Sequence, residues 1–316
     1  MMLSPEEGKI ERYLGEFPGY RFLANSGNWF LVIDRESSLY IIDVFSKGTM
    51  TSLPSLESIR SSTSIVKRVG NTSFIRETSQ GIFKDLSRDN VRGLLWVDES
   101  GKDYVVVWFF DLFGHSYISF CKKGDSHYTD IPLINRDFPW SYGFSEMVLR
   151  GYHLYLYTSR CYVRLLDLSG REGFRDITEG RPFPMLSCHV SCDSSIAVTT
   201  SGEVLLVESD PCNRSFFRIY KKDTSLVDPD AIAHTVLEVD SLGGEALLLD
   251  LGFTVPANHA LGIEPDSIYF TRHFRPCQCR DRDLDICVYN LATKTIKRFQ
   301  FGDMKIMDAR WFFPVN

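Results

Sequence analysis

The chain has 316 residues, 44% of them hydrophobic and 13% aromatic, which is enough apolar material for one large core or two smaller ones. Its 23 Phe, 14 Tyr and 5 Trp exclude a disordered polymer. The net charge of −6, from 35 Lys and Arg against 41 Asp and Glu, denies the chain the positive field that phosphate-backbone binding needs, so nucleic acid is not expected as a partner.

The chain starts Met1-Met2-Leu3-Ser4-Pro5-Glu6-Glu7, with neither the apolar stretch of a secretory signal nor the basic, Ser-rich character of a transit peptide. A cytosolic or nuclear address is expected, in preference to an organellar one. Residues 4–10 read either as a capping box opening a helix or as a hairpin turned at Pro5-Glu6-Glu7-Gly8, and Gly8 favours the hairpin. No apolar run reaches the length of a membrane helix, and the longest, at residues 104–110, has the length of a strand. No membrane partner is expected.

Helical periodicity is nearly absent, while short β-branched and aromatic runs recur between Gly, Asp, Asn and Ser. One unit repeats: an alternating strand ending in a polar residue, a turn, then a second short strand. It reads Leu39-Tyr40-Ile41-Ile42-Asp43, Lys47-Gly48, Leu53-Pro54, and returns as Ile118-Ser119-Phe120-Cys121-Lys122, Gly124-Asp125, Ile131-Pro132. A third copy runs Val163-Arg164-Leu165-Leu166-Asp167, Ser169-Gly170, Ile177. Looser copies are Phe217-Arg218-Ile219-Tyr220-Lys221, and Ile286-Cys287-Val288-Tyr289-Asn290 with Ile296. Further strands precede them at 29–34, 104–109, 153–158, 196–199 with 204–208, and 267–270, and another unit has room to lie between Arg60 and Asn90.

Three or four antiparallel strands per repeat is the anatomy of a propeller blade. The reading is an all-β, single-domain β-propeller over residues 1–316, with five to seven blades and six as the single expectation. First residues paired near Ala309-Arg310-Trp311-Phe312-Phe313 would close the ring. A pair of β-sandwiches is the structural alternative, but sandwich strands need not recur as meander units.

Chemistry is sparse. His273, Cys277, Cys279 and Cys287 offer soft metal ligands, but Cys277 and Cys279 are one residue apart where structural zinc favours two to four, and Cys287 lies inside a strand. Cys188, His189 and Cys192 lack a fourth partner. The eight cysteines (121, 161, 188, 192, 212, 277, 279, 287) show no framework spacing and read as reduced thiols, and the sequons at Asn71 and Asn213 read as chance matches. Asp34, Asp43 and Asp167 recur just after strand ends, where a carboxylate usually accepts turn amides. No nucleophile elbow, zinc-protease helix, Walker loop or dinucleotide fingerprint is present. No catalytic, cofactor-binding or metal residue is assigned, and no cofactor is expected. Trp29, Trp96, Trp108 and Trp311 are expected to fill space between blades. Trp140, in the aromatic loop 137–142, is an interaction anchor or an inter-blade filler. The loop with Arg272, Arg275, Arg280 and Arg282, interleaved with Asp281, Asp283 and Asp285, reads as a solvated face.

Three segments carry a resemblance over nearly the whole chain: residues 22–57, including Trp29-Phe30-Leu31-Val32-Ile33-Asp34; residues 95–125, including Leu95-Trp96-Val97-Asp98-Glu99; and residues 201–271, including Gly202-Glu203-Val204-Leu205-Leu206 and Ser267-Ile268-Tyr269-Phe270-Thr271. Together they resemble the plant F-box-associated family with a KIB-type β-propeller domain. The resemblance implies a propeller that presents a protein target, preceded in relatives by an F-box that docks the Skp adaptor of a cullin-type ubiquitin ligase. Only about twenty residues precede the first matching segment, too few for the 40–50 of an F-box, so none is expected here, nor is direct adaptor binding. The expected function is a non-enzymatic protein-interaction propeller with an unknown protein target. The alternatives are a propeller hydrolase with axial carboxylates or a metal, and a truncated or organellar family member.

Overall fold

The computed structural model describes residues 2–3, 10–11, 19–43, 49–61, 64–78, 81–110, 117–132, 144–158, 162–171, 173–178, 183–184, 193–211, 214–223, 236–272 and 285–299. Among them are 28 strands and three short 3-10 turns, with no α-helix. No helix of the described residues is long and apolar enough to cross a membrane.

At the N-terminus β1 (Met2–Leu3) and β2 (Ile10–Glu11) pair antiparallel, Leu3 opposite Ile10, which is the strand pairing expected of the hairpin; residues 4–9 lie outside the described residues. The first sheet is a meander of β3 (Arg21–Ser26), β4 (Trp29–Ile33), β5 (Leu39–Asp43) and β6 (Thr49–Ser52). After β7 (Ile59–Arg60) comes a three-stranded sheet of β8 (Ser64–Arg68), β9 (Ser73–Thr78) and β10 (Gly81–Ser87). The second four-stranded meander is β11 (Val91–Val97), β12 (Tyr104–Phe110), β13 (Tyr117–Lys122) and β14 (Tyr128–Ile131), whose outer edge takes β7 in parallel. The third holds β15 (Phe144–Arg150), β16 (His153–Thr158), β17 (Tyr162–Asp167) and β18 (Arg175–Asp176), with β19 (Phe183–Pro184) also on β17. The fourth is β20 (Asp193–Val198), β21 (Val204–Ser209), β22 (Phe217–Lys222) and β23 (Val236–Val239). The fifth runs β24 (Glu245–Leu248), β26 (Ser267–Arg272), β27 (Asp285–Asn290) and β28 (Thr295–Phe299), with β25 (Phe253–Pro256) folded back along β24. A parallel bridge between Val198 and Phe253 joins the fourth and fifth sheets into one.

Strand periodicity explains the stacking. Because successive side chains point to opposite faces, β12 sends Val106, Trp108 and Phe110 to a core shared with the first sheet, and Val105 and Val107 to a core shared with the third. In β16, Leu154 and Leu156 face the second sheet while Tyr155 and Tyr157 face the fourth. In β21, Leu206 faces the third sheet while Leu205 and Val207 meet Leu247, Ile268 and Phe270 of the fifth. A strand covered on both faces reads as a continuous apolar run, which is why residues 104–110 look as they do. This succession of face-to-face antiparallel sheets is a β-propeller arrangement, and excludes the sandwich pair.

The segment between Arg60 and Asn90 does contain strands, but they do not form a layer between the first and second sheets. β3 and β4 lie directly on β11, and Gly93 permits this approach: a Cβ there would sit 2.6 Å from the Leu31 side chain and 3.3 Å from the Val107 carbonyl. The three-stranded sheet instead inserts Val66, Phe74 and Leu86 into the flank of the same core. Its anchor is polar: Arg76 on β9, 1% exposed, donates to Asp130 on β14 at 2.7 Å and to Ser64, while Ser61 and Ser64 donate to the same carboxylate. Ring closure through residues 309–313 lies outside the described residues.

Candidate interaction face

The first strands of the second, third and fourth sheets, β11, β15 and β20, run in one direction. β15 and β20 lie side by side in parallel, since Glu146 accepts from the Ile196 amide at 2.7 Å and Arg150 donates to the Thr200 carbonyl at 2.8 Å. β20 is parallel to β25, and at the far ends of β11 and β15 Trp96 packs on Tyr152. One end of the stack, where β11, β15 and β20 begin, is the leading end.

Four long connections depart from that end. Residues 111–116 join Phe110 to Tyr117, which are partners in register; 133–143 join Ile131, opposite Ile118, to Phe144, opposite Thr158. Residues 185–192 join Pro184, opposite Tyr162, to Asp193, opposite Ser209, and 273–284 join the partners Arg272 and Asp285. The two loops singled out in the sequence, around Trp140 and around Arg275 to Arg282, are thus tethered at the same face, although their own residues lie outside the described set.

A polar cluster drawn from three sheets sits among these strand ends. Glu146 comes from β15. Arg214 follows β21 and donates to the Asp250 carboxylate at 3.4 Å and to the Thr271 carbonyl at 3.1 Å. Asp250, in the 3-10 turn Leu249–Leu251, accepts from the Thr271 amide and hydroxyl, each at 2.7 Å. Burial pushes the Glu146 carboxyl up to about 7, and the nearby charge of Asp250 adds to this, against the opposing pull of the Ile196 amide, Arg214 and Ser195. At the trailing end, Glu245 accepts from the Thr200 and Thr254 hydroxyls. Burial raises its carboxyl, but those hydrogen bonds and the Arg150 charge outweigh it and hold the group below its ordinary value.

Two of the three carboxylates at strand ends accept turn amides: Asp34 from the Glu36 and Ser38 amides, each at 2.8 Å, and Asp167 from the Ser169 amide at 2.9 Å, the Ser169 hydroxyl and then that amide lowering the Asp167 pKa; the residues that follow Asp43 lie outside the described set. Trp108 is buried, and Trp29 and Trp96 pack against the inter-sheet cores, as expected of fillers. Cys287 is fully buried in β27 facing the core, so it is turned away from solvent; His273, Cys277, Cys279, Cys188, His189, Cys192, Trp140 and Trp311 lie outside the described residues. Among the described residues no group of three or more His, Cys, Asp and Glu side chains is placed to hold a metal. Sequence reasoning missed Glu146, Arg214 and Asp250. Glu146 sits in the alternating pattern of β15, but nothing local marks its partners 50 to 104 residues away.

The architecture has relatives. The profile described as KIB1-4 beta-propeller matches residues 2–290. The Arabidopsis thaliana F-box protein At5g25290 is 44% identical over 99% of this chain and 82% of its own length. F-box protein At2g14290 of the same plant is 45% identical over 99% of this chain and 80% of its own, and F-box protein KIB3 is 32% identical over 99% and 68%. A distant likeness links the fold to the β-propeller domain of Cps50 (Swd1) from Myceliophteria thermophila, at 11% identity and a TM-score of 0.34 over 89% of this chain and 85% of that one. The profile match spans every strand described above except β28, and it includes the three segments that carried the resemblance: the chain belongs to the KIB1-4 β-propeller family.

Proposed function

We propose that this chain is a non-enzymatic protein-interaction module that holds a protein target on its leading face, in the cytosol or nucleus. The observation that carries the proposal is the tethering of four long connections to one end of a stack whose sheet faces are occupied by one another, against one of similar length, residues 224–235, at the other end. Rigid layers with variable loops at one end let specificity change without disturbing the core. The similarity to F-box proteins supports the same role, because in that family the propeller is the target-presenting part. A hydrolase would need axial carboxylates available to substrate, whereas Glu146 and Asp250 both carry protein hydrogen bonds. The described residues also offer an adaptor groove built for amphipathic helices nothing to grip, since they contain no α-helix.

The test uses immobilised chain and an Arabidopsis extract, with captured proteins identified by mass spectrometry. Residues 134–142 are exchanged for a Gly-Ser linker of equal length in one variant, and Glu203, exposed at the trailing end, is changed by Glu203→Lys in another. Capture lost in the first and kept in the second, with melting temperatures unchanged, supports the leading face. The opposite pattern overturns it, and saturable micromolar binding of purified Skp adaptor to the chain would overturn the assignment as a target-holding module alone.

A further inference from the structure

The first and second sheets do not fill the whole of the core between them. At its trailing end a cavity of about 110 Å³ remains. On the side of the first sheet it is walled by Ile41 of β5 and Thr51 of β6, partners in register, and by Trp29 of β4 on the same face. On the side of the second sheet stand Val97 of β11 and Tyr104 of β12, again partners in register. The turn 98–103 roofs the space. Gly101 in that turn has a φ of +66°, and a Cβ there would stand 3.0 Å from the Trp29 ring. The turn is held by its own groups: Asp98 accepts from the Asp103 amide at 2.8 Å and from the Ser100 hydroxyl at 2.5 Å, and the Gly101 amide bonds to the Asp98 carbonyl at 2.9 Å. At the rim the exposed Lys123 donates to the Lys102 carbonyl.

We propose that this cavity is a binding site for a single neutral ring, a free small molecule of the size of phenol. Its volume sets the upper limit. An apolar cavity of about 150 Å³ holds one benzene ring, so the space between these sheets admits one ring and excludes a nucleotide or a larger cofactor, which needs several times the room. The walls set the chemistry. Trp29 and Tyr104 present aromatic surface, Ile41 and Val97 present methyl groups, and the hydroxyls of Thr51 and Tyr104 give one polar substituent a partner. An anion would have to draw Lys123 away from the Lys102 carbonyl. Water, the competing occupant, needs two to four polar partners, and Ile41 and Val97 offer it none.

The site is separate from the leading face, because it lies where β11 ends rather than where it begins. Its walls stand on strands and its roof on a hydrogen-bonded turn, so a ligand meets a space already formed and little ordering opposes its entry. The wall atoms around an unfilled space lack contacts that a ring would supply. A bound ring therefore touches both sheets at once, and its occupancy stabilises the seam between them by mass action.

The experiment titrates the full chain with phenol while the indole N–H signals are followed by nuclear magnetic resonance, the Trp29 signal being assigned with Trp29→Phe. The expected result is a saturable displacement of that signal at millimolar phenol, together with a rise in melting temperature. Thr51→Phe, which places a ring in the cavity from the outermost strand of the first sheet, is expected to weaken phenol binding by about tenfold or more and to raise the melting temperature without ligand. Gly101→Ala lowers the roof onto Trp29 and is expected to weaken binding in the same direction. A Trp29 signal that does not saturate, phenol affinity equal in the unaltered chain and both variants, or benzoate binding as tightly as phenol would overturn the site. Should Thr51→Phe not fold, Gly101→Ala decides alone. None of these readouts requires a bound target.

Discussion

At the scale of single residues, the ion pair between Arg76 and Asp130 is the most consequential polar contact, with side-chain exposures of 1% and 6%. A buried pair contributes little relative to a well-packed apolar substitute, but removing one member leaves the other charge desolvated. Asp130→Ala is therefore expected to destabilise the fold by about 3–5 kcal/mol in denaturant unfolding. The double variant Arg76→Met with Asp130→Leu should recover most of that loss. Gly252 is a different kind of constraint. Its φ is +73°, and a Cβ would stand 2.4 Å from Cγ2 of Val148 on the third sheet. Gly252→Ala is expected to cost about 1–3 kcal/mol, from the left-handed backbone and from the overpacking together; an unchanged midpoint of unfolding would contradict it.

At the scale of elements, the strands were the legible part of the sequence. Residues 104–110, 153–158 and 163–167 announce themselves because their alternation and β-branched content reflect two buried faces. Asp34 and Asp167 were readable for a local reason, since a turn carboxylate meets amides two to four residues away. The placement of the three-stranded sheet was not readable. Three strands between Arg60 and Asn90 fit a blade by spacing, and only the direct contact of β3 and β4 with β11 shows that they flank the layers instead. The parallel pairing of β7 with β14 was equally hidden, because a two-residue bridge between distant segments leaves no periodic trace. The same limit explains why Glu146, Arg214 and Asp250 escaped notice. The flanking sheet should be separable by experiment: Phe74 is fully buried against Phe110, with ring centroids 5.9 Å apart. Phe74→Ala is expected to cost about 3–5 kcal/mol and to accelerate proteolysis within residues 64–87 before any other cleavage; first cuts elsewhere would show that this sheet is not an independent layer.

At the scale of the whole molecule, each inter-sheet core belongs to two neighbours, so no sheet keeps its apolar faces covered once the next one leaves. Unfolding should therefore be a single event despite the length of the chain. Tryptophan fluorescence of a variant carrying Trp140→Phe and Trp311→Phe, which keeps Trp29, Trp96 and Trp108 in the first two sheets, and far-ultraviolet circular dichroism, which sees every strand, are expected to give coincident transitions. A fluorescence change that precedes the loss of strand signal would instead show the first two sheets detaching alone.

The bridge from β20 to β25 sets a mechanical limit on that cooperativity. The Val198 amide bonds to the Gly252 carbonyl at 2.8 Å, and the pairing of Val198 with Phe253 turns the fourth and fifth sheets into one hydrogen-bonded body. Between the first, second, third and fourth sheets no backbone-to-backbone bond crosses a seam among the described residues, and the polar links there use a side chain on one side, as from the Val97 amide to Ser26, from Lys122 to the Gly170 carbonyl and from the Ile196 amide to Glu146. Under tension applied at the leading face, the stack would part at those unlaced seams first, and the last two sheets would come away as a pair. A stack pulled from that face thus has a strong half and a weak half, and the point of attachment decides which of them bears the force.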